Sequence, residues 1–401
     1  MEKVKIAVWL DNNYIPEEEG GGFSYYDKLV QTIDNYQFDP SIELCFVTNS
    51  SVSQGTFSKP IIELSYVPGI FIQMMAKVPL CGKQVKQKYK KRREELRQKS
   101  YEKTLLEAGV RVIYYLCQGQ YSVVDFPFIA TNWDIGHCST FAFPELIPYG
   151  NFEKRNNIYT QVLPKALMVF TESDTGKAEL SKYTNIDEKK IKVVPLFAGN
   201  CVNAKCDAKE EEEFLSENQL EKQKFFFYPA RFWAHKNHTG LLQAFAKFTK
   251  QYPDYKLVFT VSKEYLRLFA SSLKIEDKVL FLDFLPVEQI NILYRNATAL
   301  VMATYLGPTN MPPIEAMELG CPVICSDLQG HHEILSNAAI YFNPMDQDEL
   351  CNAMIEMINN RSFYKDAIEK QNRNSLFKIE NSMQKLNEHL KEVAIIRNCW
   401  K

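Results

Sequence analysis

The 401-residue sequence has no long apolar run and no marked charge of either sign, with 47 Lys and Arg against 49 Asp and Glu for a formal net charge of -2. The first absence argues against a membrane-spanning helix, which needs about 20 mostly apolar residues. The opening MEKVKIAVWLD is also too short an apolar run for a secretory signal. The second absence argues against a general nucleic-acid binder, whose basic footprint would show in the balance. Ten cysteines are scattered along the chain, and the nearest pairs, Cys201 with Cys206 and Cys321 with Cys325, lack zinc spacing. They read as free, buried thiols in a reducing cytosol. No internal repeat stands out, and the one biased tract is the acidic run Glu210 to Glu213. The expected location is cytoplasmic.

What is present is an alternation of short apolar runs and amphipathic stretches, over a length sufficient for two domains. Val4 to Leu10, Ile42 to Thr48, Arg111 to Cys117, Phe128 to Thr131, Ala166 to Thr171 and Ile191 to Pro195 read as strands. Helices are expected over Phe23 to Ile33, Phe152 to Leu163 and Asp174 to Tyr183. After a polar stretch, Ala198 to Lys224, that suits a linker or long loop, the pattern restarts. Its strands are Phe225 to Ala230, Tyr255 to Val261, Val279 to Leu282, Ala299 to Ala303 and Pro322 to Ser326. Helices are expected over Thr239 to Lys250, Ile290 to Tyr294, Asp348 to Asn359 and Ser382 to Arg397. Continuous apolar runs suit strands buried on both faces, so the pattern predicts an α/β protein with parallel sheets covered by helices.

The stretch from Ala297 to Glu333 carries the most chemistry. Two buried strands flank the loop Gly307-Pro308-Thr309-Asn310-Met311 and a short helix that starts at the Pro312-Pro313 pair and stops at Gly320. The loop of such a crossover lies at the carboxyl end of the sheet, where a helix amino terminus presents free N–H groups to an anion such as phosphate. Glu315, read as lying on the first helical turn, could accept both vicinal hydroxyls of a ribose or simply favour the helix dipole. Upstream, Arg231, Lys236 and Asn237 follow a strand and open a helix. Arg can grip two phosphate oxygens and Lys adds a compact charge, although both also read as surface cations.

The first half holds weaker signals. Gly20, Gly21 and Gly22 precede a helix and would let backbone approach a ligand, or form a flexible loop. Asp134 and His137 lie beyond a buried strand, followed by Pro144 and Glu145; they suit cleft chemistry or a turn-capping pair. Between residues 67 and 97 an apolar segment meets a basic helix bearing Lys83, Lys86, Lys88, Lys90, Lys91, Arg92, Arg93 and Arg97. This is either a solvated helix or a peripheral contact with anionic lipid.

The run GPTNMPPIEAMELGCPVICSD, with Gly330 and Glu333, resembles the donor-site signature of family 4 glycosyltransferases, which are retaining enzymes of the GT-B fold. That signature usually carries two glutamates at fixed spacing; Glu315 matches the second, while Gly307 stands at the first. ARFWAHKN resembles the family's phosphate motif, with Ala230 in place of a glycine, and Asp134, His137, Pro144 and Glu145 match a first-half segment in which Trp133 replaces a histidine.

The resemblance implies a GT-B fold of two Rossmann-like domains facing a cleft. Residues 1–197 would bind the acceptor, 198–224 would form the linker, 225–380 would bind the nucleotide sugar, and 381–401 would form a helix packing back on the first domain. It further implies that Glu315 holds the ribose, that Thr309, Asn310 and Met311 face the diphosphate and sugar, that Gly21 and Gly22 line the cleft, and that Leu285 lies by the nucleobase. Arg231 and Lys236 would stabilise the departing diphosphate, Asp134 and His137 would position the acceptor, and no metal or other cofactor is called for. The expected activity is transfer of a sugar from a nucleotide-diphosphate sugar to a glycan or lipid-linked acceptor in surface polysaccharide biosynthesis. It stands against a GT-B protein that only binds sugar nucleotides, and against a nucleotide-sugar epimerase.

Overall fold

A computed structural model describes residues 2–10, 21–49, 57–69, 83–119, 121–140, 143–147 and 150–400. The first half builds a parallel sheet from β1 (Val4–Trp9), β2 (Ile42–Thr48), β3 (Ile61–Glu63), β4 (Val110–Tyr115), β5 (Phe128–Asn132), β6 (Met168–Thr171) and β7 (Ile191–Val193). Their order is β3-β2-β1-β4-β5-β6-β7. The second half builds another from β8 (Phe225–Tyr228), β9 (Lys256–Phe259), β10 (Val279–Phe281), β11 (Ala299–Met302), β12 (Val323–Ser326) and β13 (Ala339–Phe342), in the order β10-β9-β8-β11-β12-β13. The strands of both sheets are flanked by helices, and their inner residues are fully buried, as the apolar runs require.

Each order reverses direction once, between β1 and β4 and between β8 and β11. At such a point the loops leaving two adjacent strands diverge and open a crevice at the carboxyl edge. In the second sheet those loops contain Arg231 to Lys236 and Thr304 to Asn310.

Several expectations change. The stretch 198–224 is not an open linker, because Ala208–Glu217 is a helix started by a capping box between Asp207 and Glu210. Its acidic run is one-sided: Glu211, Phe214 and Leu215 are buried, and Lys222 Nζ meets Glu211 at 2.5 Å. The short edge strand β3, the last strand β13 and the helices Glu264–Ser272 and Gln329–Leu335 were not expected. The predicted helix over 152–163 is regular only over Asn151–Asn157 and then widens before a tight turn at Leu163–Lys165. The thiols are not uniformly buried: Cys117, Cys138 and Cys206 are half-buried and Cys399 is exposed, while Cys45, Cys201, Cys321, Cys325 and Cys351 are buried.

The basic helix spans Lys83–Glu107, with Lys88, Lys90, Lys91, Arg92 and Arg93 exposed and Arg97 paired with Glu94 at 2.5 Å. Residues 70–82 of the adjoining apolar segment, and Gly20, lie outside the described residues. No helix among the described residues is long and apolar enough to cross a membrane. The last helix, Ile379–Asn398, returns to the first sheet, where Lys391 pairs with Asp39 at 2.9 Å and Glu392 with Lys192 at 3.0 Å.

Candidate functional site

The two loops at the second switch point are tied together. Tyr305 N donates to His235 O at 2.8 Å, and Tyr228 Oη donates to Lys236 O at 2.6 Å. Asn237, in the left-handed region at φ 55°, caps the His238–Phe248 helix, so the chain turns sharply after Lys236. Lys236 is half-buried, and its ammonium donates to Asn310 Oδ1 at 3.0 Å. Burial pushes this lysine down to about 8, and the Asp134 carboxylate opposes that shift across the cleft. Asn310 is the residue immediately before the Met311–Glu318 helix, so the cation stands beside a helix amino terminus. Arg231 is exposed in the same loop, with no ion pair among the described residues.

Glu315 is not on the first turn. It is the fifth residue of its helix and only 6% exposed. Tyr294 Oη donates to its Oε2 at 2.8 Å, and Gly199 N–H and the Cys201 thiol also bond to the carboxylate. Burial nevertheless holds its carboxyl above the usual range. A Cβ on Gly199 would stand 2.8 Å from Glu315 Oε1, 2.7 Å from Ser24 Oγ and 3.4 Å from Met311 Sδ. Gly199 is therefore the point where the first helix, the interlobe segment and Glu315 converge. Gly21 and Gly22 belong to the first turn of that helix, Gly21–Asn35, rather than to a preceding loop.

Gly307 adopts φ +145°, and a Cβ there would come 2.7 Å from Thr309 O and collide with the Asn310 amide. The loop geometry that places Asn310 on Lys236 thus leaves no room for a glutamate at Gly307. Gly330 abuts the same loop, where a Cβ would lie 2.5 Å from the carbonyl carbon of Pro308.

From the first lobe, Asp134 faces the site but is engaged: its Oδ1 accepts from Arg155 at 2.7 Å and from Gly136 N at 2.8 Å. His137 does not join it. It is buried between Phe152 and Tyr159, with ring centroids at 5.4 and 5.0 Å. Burial, and next Arg155, push it down to about 4, so it is neutral. Glu145 reaches across to the second lobe, where its Oε1 lies 2.5 Å from His235 Nδ1 and accepts from His235 N at 3.1 Å.

Further residues complete the arrangement without having been singled out by role. Glu172, buried at the end of β6, accepts from Thr309 Oγ1 at 2.9 Å, and burial pushes its carboxyl up to about 8. Ser173 Oγ donates to Pro308 O at 3.2 Å. In return, Glu333 of the second lobe accepts from Asp174 N and Thr175 N, both at 2.8 Å, at the start of the Asp174–Tyr183 helix. Of these, the Glu333 match alone is marked in the sequence; nothing local marks Tyr294.

Leu285 is half-buried against the core and is not drawn into this cluster. Among the described residues no group of three or more His, Cys, Asp or Glu could hold a metal ion. The run Asp346-Gln347-Asp348 has the spacing of a metal-binding pair, but Asp346 accepts from Asp348 N and Glu349 N as a helix cap.

Residues 209–374 match the family described as glycosyl transferases group 1. The O-antigen chain mannosyltransferase RfbU of Salmonella typhimurium is 34% identical over 184 residues, 45% of this chain and 47% of that protein. The O-antigen chain mannosyltransferase B of Escherichia coli is 24% identical over 230 residues, 56% of this chain and 60% of that protein. The chain thus spans about half of the one relative and three fifths of the other. Among solved structures, Anabaena Alr3699/HepE in complex with UDP and glucose superposes with TM-score 0.68 at 16% identity, covering 97% of this chain and 99% of that one. Two parallel Rossmann-like sheets, each reversing strand order once and superposing on such a structure along nearly its whole length, make this the GT-B fold of the glycosyltransferases.

Proposed function

We propose that the protein is a retaining, nucleotide-sugar-dependent hexosyltransferase of family 4. In this reading it passes a sugar to a glycan or lipid-linked acceptor in surface polysaccharide assembly, without a divalent metal. The observation that carries the proposal is the half-buried Lys236 ammonium held by Asn310 at a helix amino terminus, at a sheet switch point within the group 1 match. The two O-antigen relatives make mannose the first sugar to test. Leu285 and the exposed Phe284 are the proposed edge of the nucleobase site.

The chemistry follows from charge. As the bond between the anomeric carbon and the diphosphate oxygen breaks, its electron pair goes to the phosphate. The acceptor hydroxyl oxygen bonds to the same carbon, and its proton passes to the departing phosphate on the same face. Lys236, Arg231 and the N–H groups at Met311 stabilise the growing negative charge, the kind of contribution that usually dominates such catalysis. Lys236, stripped of much of its water, gains more from an incoming phosphate than a solvated lysine would. Glu315, with Tyr294 fixing one oxygen, holds the ribose, while Asp134, oriented by Arg155, faces the acceptor. A lipid-linked acceptor would suit the exposed cations of the Lys83–Glu107 helix, each worth about 1 kcal/mol beside an anionic surface.

A sugar-nucleotide-binding protein without transfer is the second reading, favoured by the pairing of Asp134 with Arg155 and the burial of His137. Radiolabelled nucleotide sugars, mannose donors first, incubated with membrane lipid extract distinguish the two. Label in the lipid or glycan fraction supports transfer, and donor retention without transfer supports the second reading. Arg231→Ala and Glu315→Ala are each expected to lower transfer at least tenfold; full activity in both would refute the donor-site assignment.

A further inference from the structure

A chain of three hydrogen bonds runs inward from the ammonium, and each link fixes the next. Lys236 Nζ donates to Asn310 Oδ1 at 3.0 Å, Asn310 Nδ2 lies 3.1 Å from His331 Nε2, and His331 Nδ1 lies 2.7 Å from Ser326 O. His331 and Ser326 are fully buried and Asn310 is 7% exposed, so water does not compete for the two inner contacts.

The direction of every bond follows from the fixed end. Ser326 O belongs to the last residue of β12 and can only accept, so His331 Nδ1 must carry a proton. Burial holds the ring neutral, pushing it down to about 4, with Lys236 the next charge acting in that direction. A neutral ring has one N–H, so Nε2 is bare and can only accept. It therefore takes the amide N–H of Asn310, whose other neighbour, Leu306 O at 3.5 Å, is also an acceptor. Both neighbours turn Nδ2 inward, which leaves Oδ1 outward, where the ammonium needs an acceptor. The opposite amide orientation would aim N–H groups at a cation and a carbonyl at a lone pair.

Resting on the donor-site reading above, we propose that His331 is a positioning residue: through its tautomer it fixes the Asn310 amide, which in turn holds Lys236 in place to receive a diphosphate. Neither Lys236 nor the diphosphate touches His331. One ammonium hydrogen is committed to Asn310, leaving two for phosphate oxygens.

The test titrates GDP, UDP and ADP calorimetrically into the full chain and its variants, taking whichever binds best. Lys236→Ala checks the site itself: if none of the three binds the wild type, or Lys236→Ala binds as the wild type does, the donor-site reading fails. Given that it holds, His331→Leu, apolar and of similar size, is expected to weaken binding about tenfold, as for a misplaced hydrogen bond to a charged group. His331→Gln offers one donor and one acceptor at similar spacing and should bind within about threefold of wild type. In an Asn310→Asp background both side-chain oxygens accept, so orientation ceases to matter, and His331→Leu, which also removes the lone pair facing the inner oxygen, should cause no further loss of binding. Equal losses from His331→Leu in both backgrounds, wild-type binding by His331→Leu, or equal weakness of the Leu and Gln variants would each overturn the proposal. Circular dichroism on every variant separates unfolding from misplacement.

Discussion

Gly307 offers a sharp test of how the loop before the Met311–Glu318 helix is built, because Gly307→Ala adds a single methyl where the structure has no space for one. The residue stands at φ +145°, a region in which a side chain costs about 1–3 kcal/mol of backbone strain. The new Cβ would also lie 2.7 Å from Thr309 O, a backbone atom that cannot swing aside, and would push the Asn310 amide off Lys236. Together these place the loss at about 2–4 kcal/mol, large for a single substitution. In a cooperative unit of this size that lowers the melting temperature by roughly 4–15 °C. Gly109→Ala is the control: at φ +75° it has nothing within 4 Å of a Cβ, so it carries backbone strain without collision, about 1 kcal/mol. Scanning calorimetry of both variants, with nucleoside diphosphate titration alongside, separates the two contributions. Gly307→Glu, which places a glutamate where the signature this run resembles carries its first, should lose at least as much as Gly307→Ala. A Gly307→Ala protein melting within about 1 °C of wild type, or no lower than Gly109→Ala, would refute the reasoning.

Two other outcomes are expected. Tyr294→Phe removes a donor from the buried Glu315 carboxylate, lowers stability by about 1–3 kcal/mol and raises the Glu315 pKa further, so the rise of nucleotide binding with pH shifts to higher pH. An unshifted profile would count against Glu315 as a ribose acceptor. Glu172 titrates at about 8 when folded against an ordinary 4.5, so its stabilising protonated form is present at low pH and lost as pH rises from about 4.5 through 8. Glu172→Gln should therefore melt higher than wild type at pH 9 relative to their difference at pH 5, and parallel curves would show that Glu172 does not titrate in this window.

Much of the scaffold was legible because it obeys local rules. Ile42 to Thr48 is an apolar run with turn residues around it, and Asp174 to Tyr183 begins where Ser173 accepts from Gly176 N–H; both have the predicted bounds. Ala208–Glu217 was misread because four adjacent glutamates mask a face on which only Glu211, Phe214 and Leu215 turn inward. β3 escaped notice because its three residues are half-buried or exposed at a sheet edge and belong to no continuous buried run. At the site, Lys236 and Asn310 announce themselves by strand-loop-helix context, whereas Glu315 with Tyr294, and Asn310 with His331, are joined only in three dimensions. His137 shows the converse error, since a histidine placed beyond a strand looks available until two aromatic rings close over it.

The grip of Glu172 on Thr309, of Ser173 on Pro308 and of Glu333 on the Asp174–Tyr183 helix has an evolutionary and practical corollary. The 307–311 loop of one half is finished by side chains of the other, so the halves are not interchangeable parts. A chimera joining this second half to a relative's first half would inherit the loop sequence without its buttresses, unless Glu172, Ser173 and their counterparts travel together.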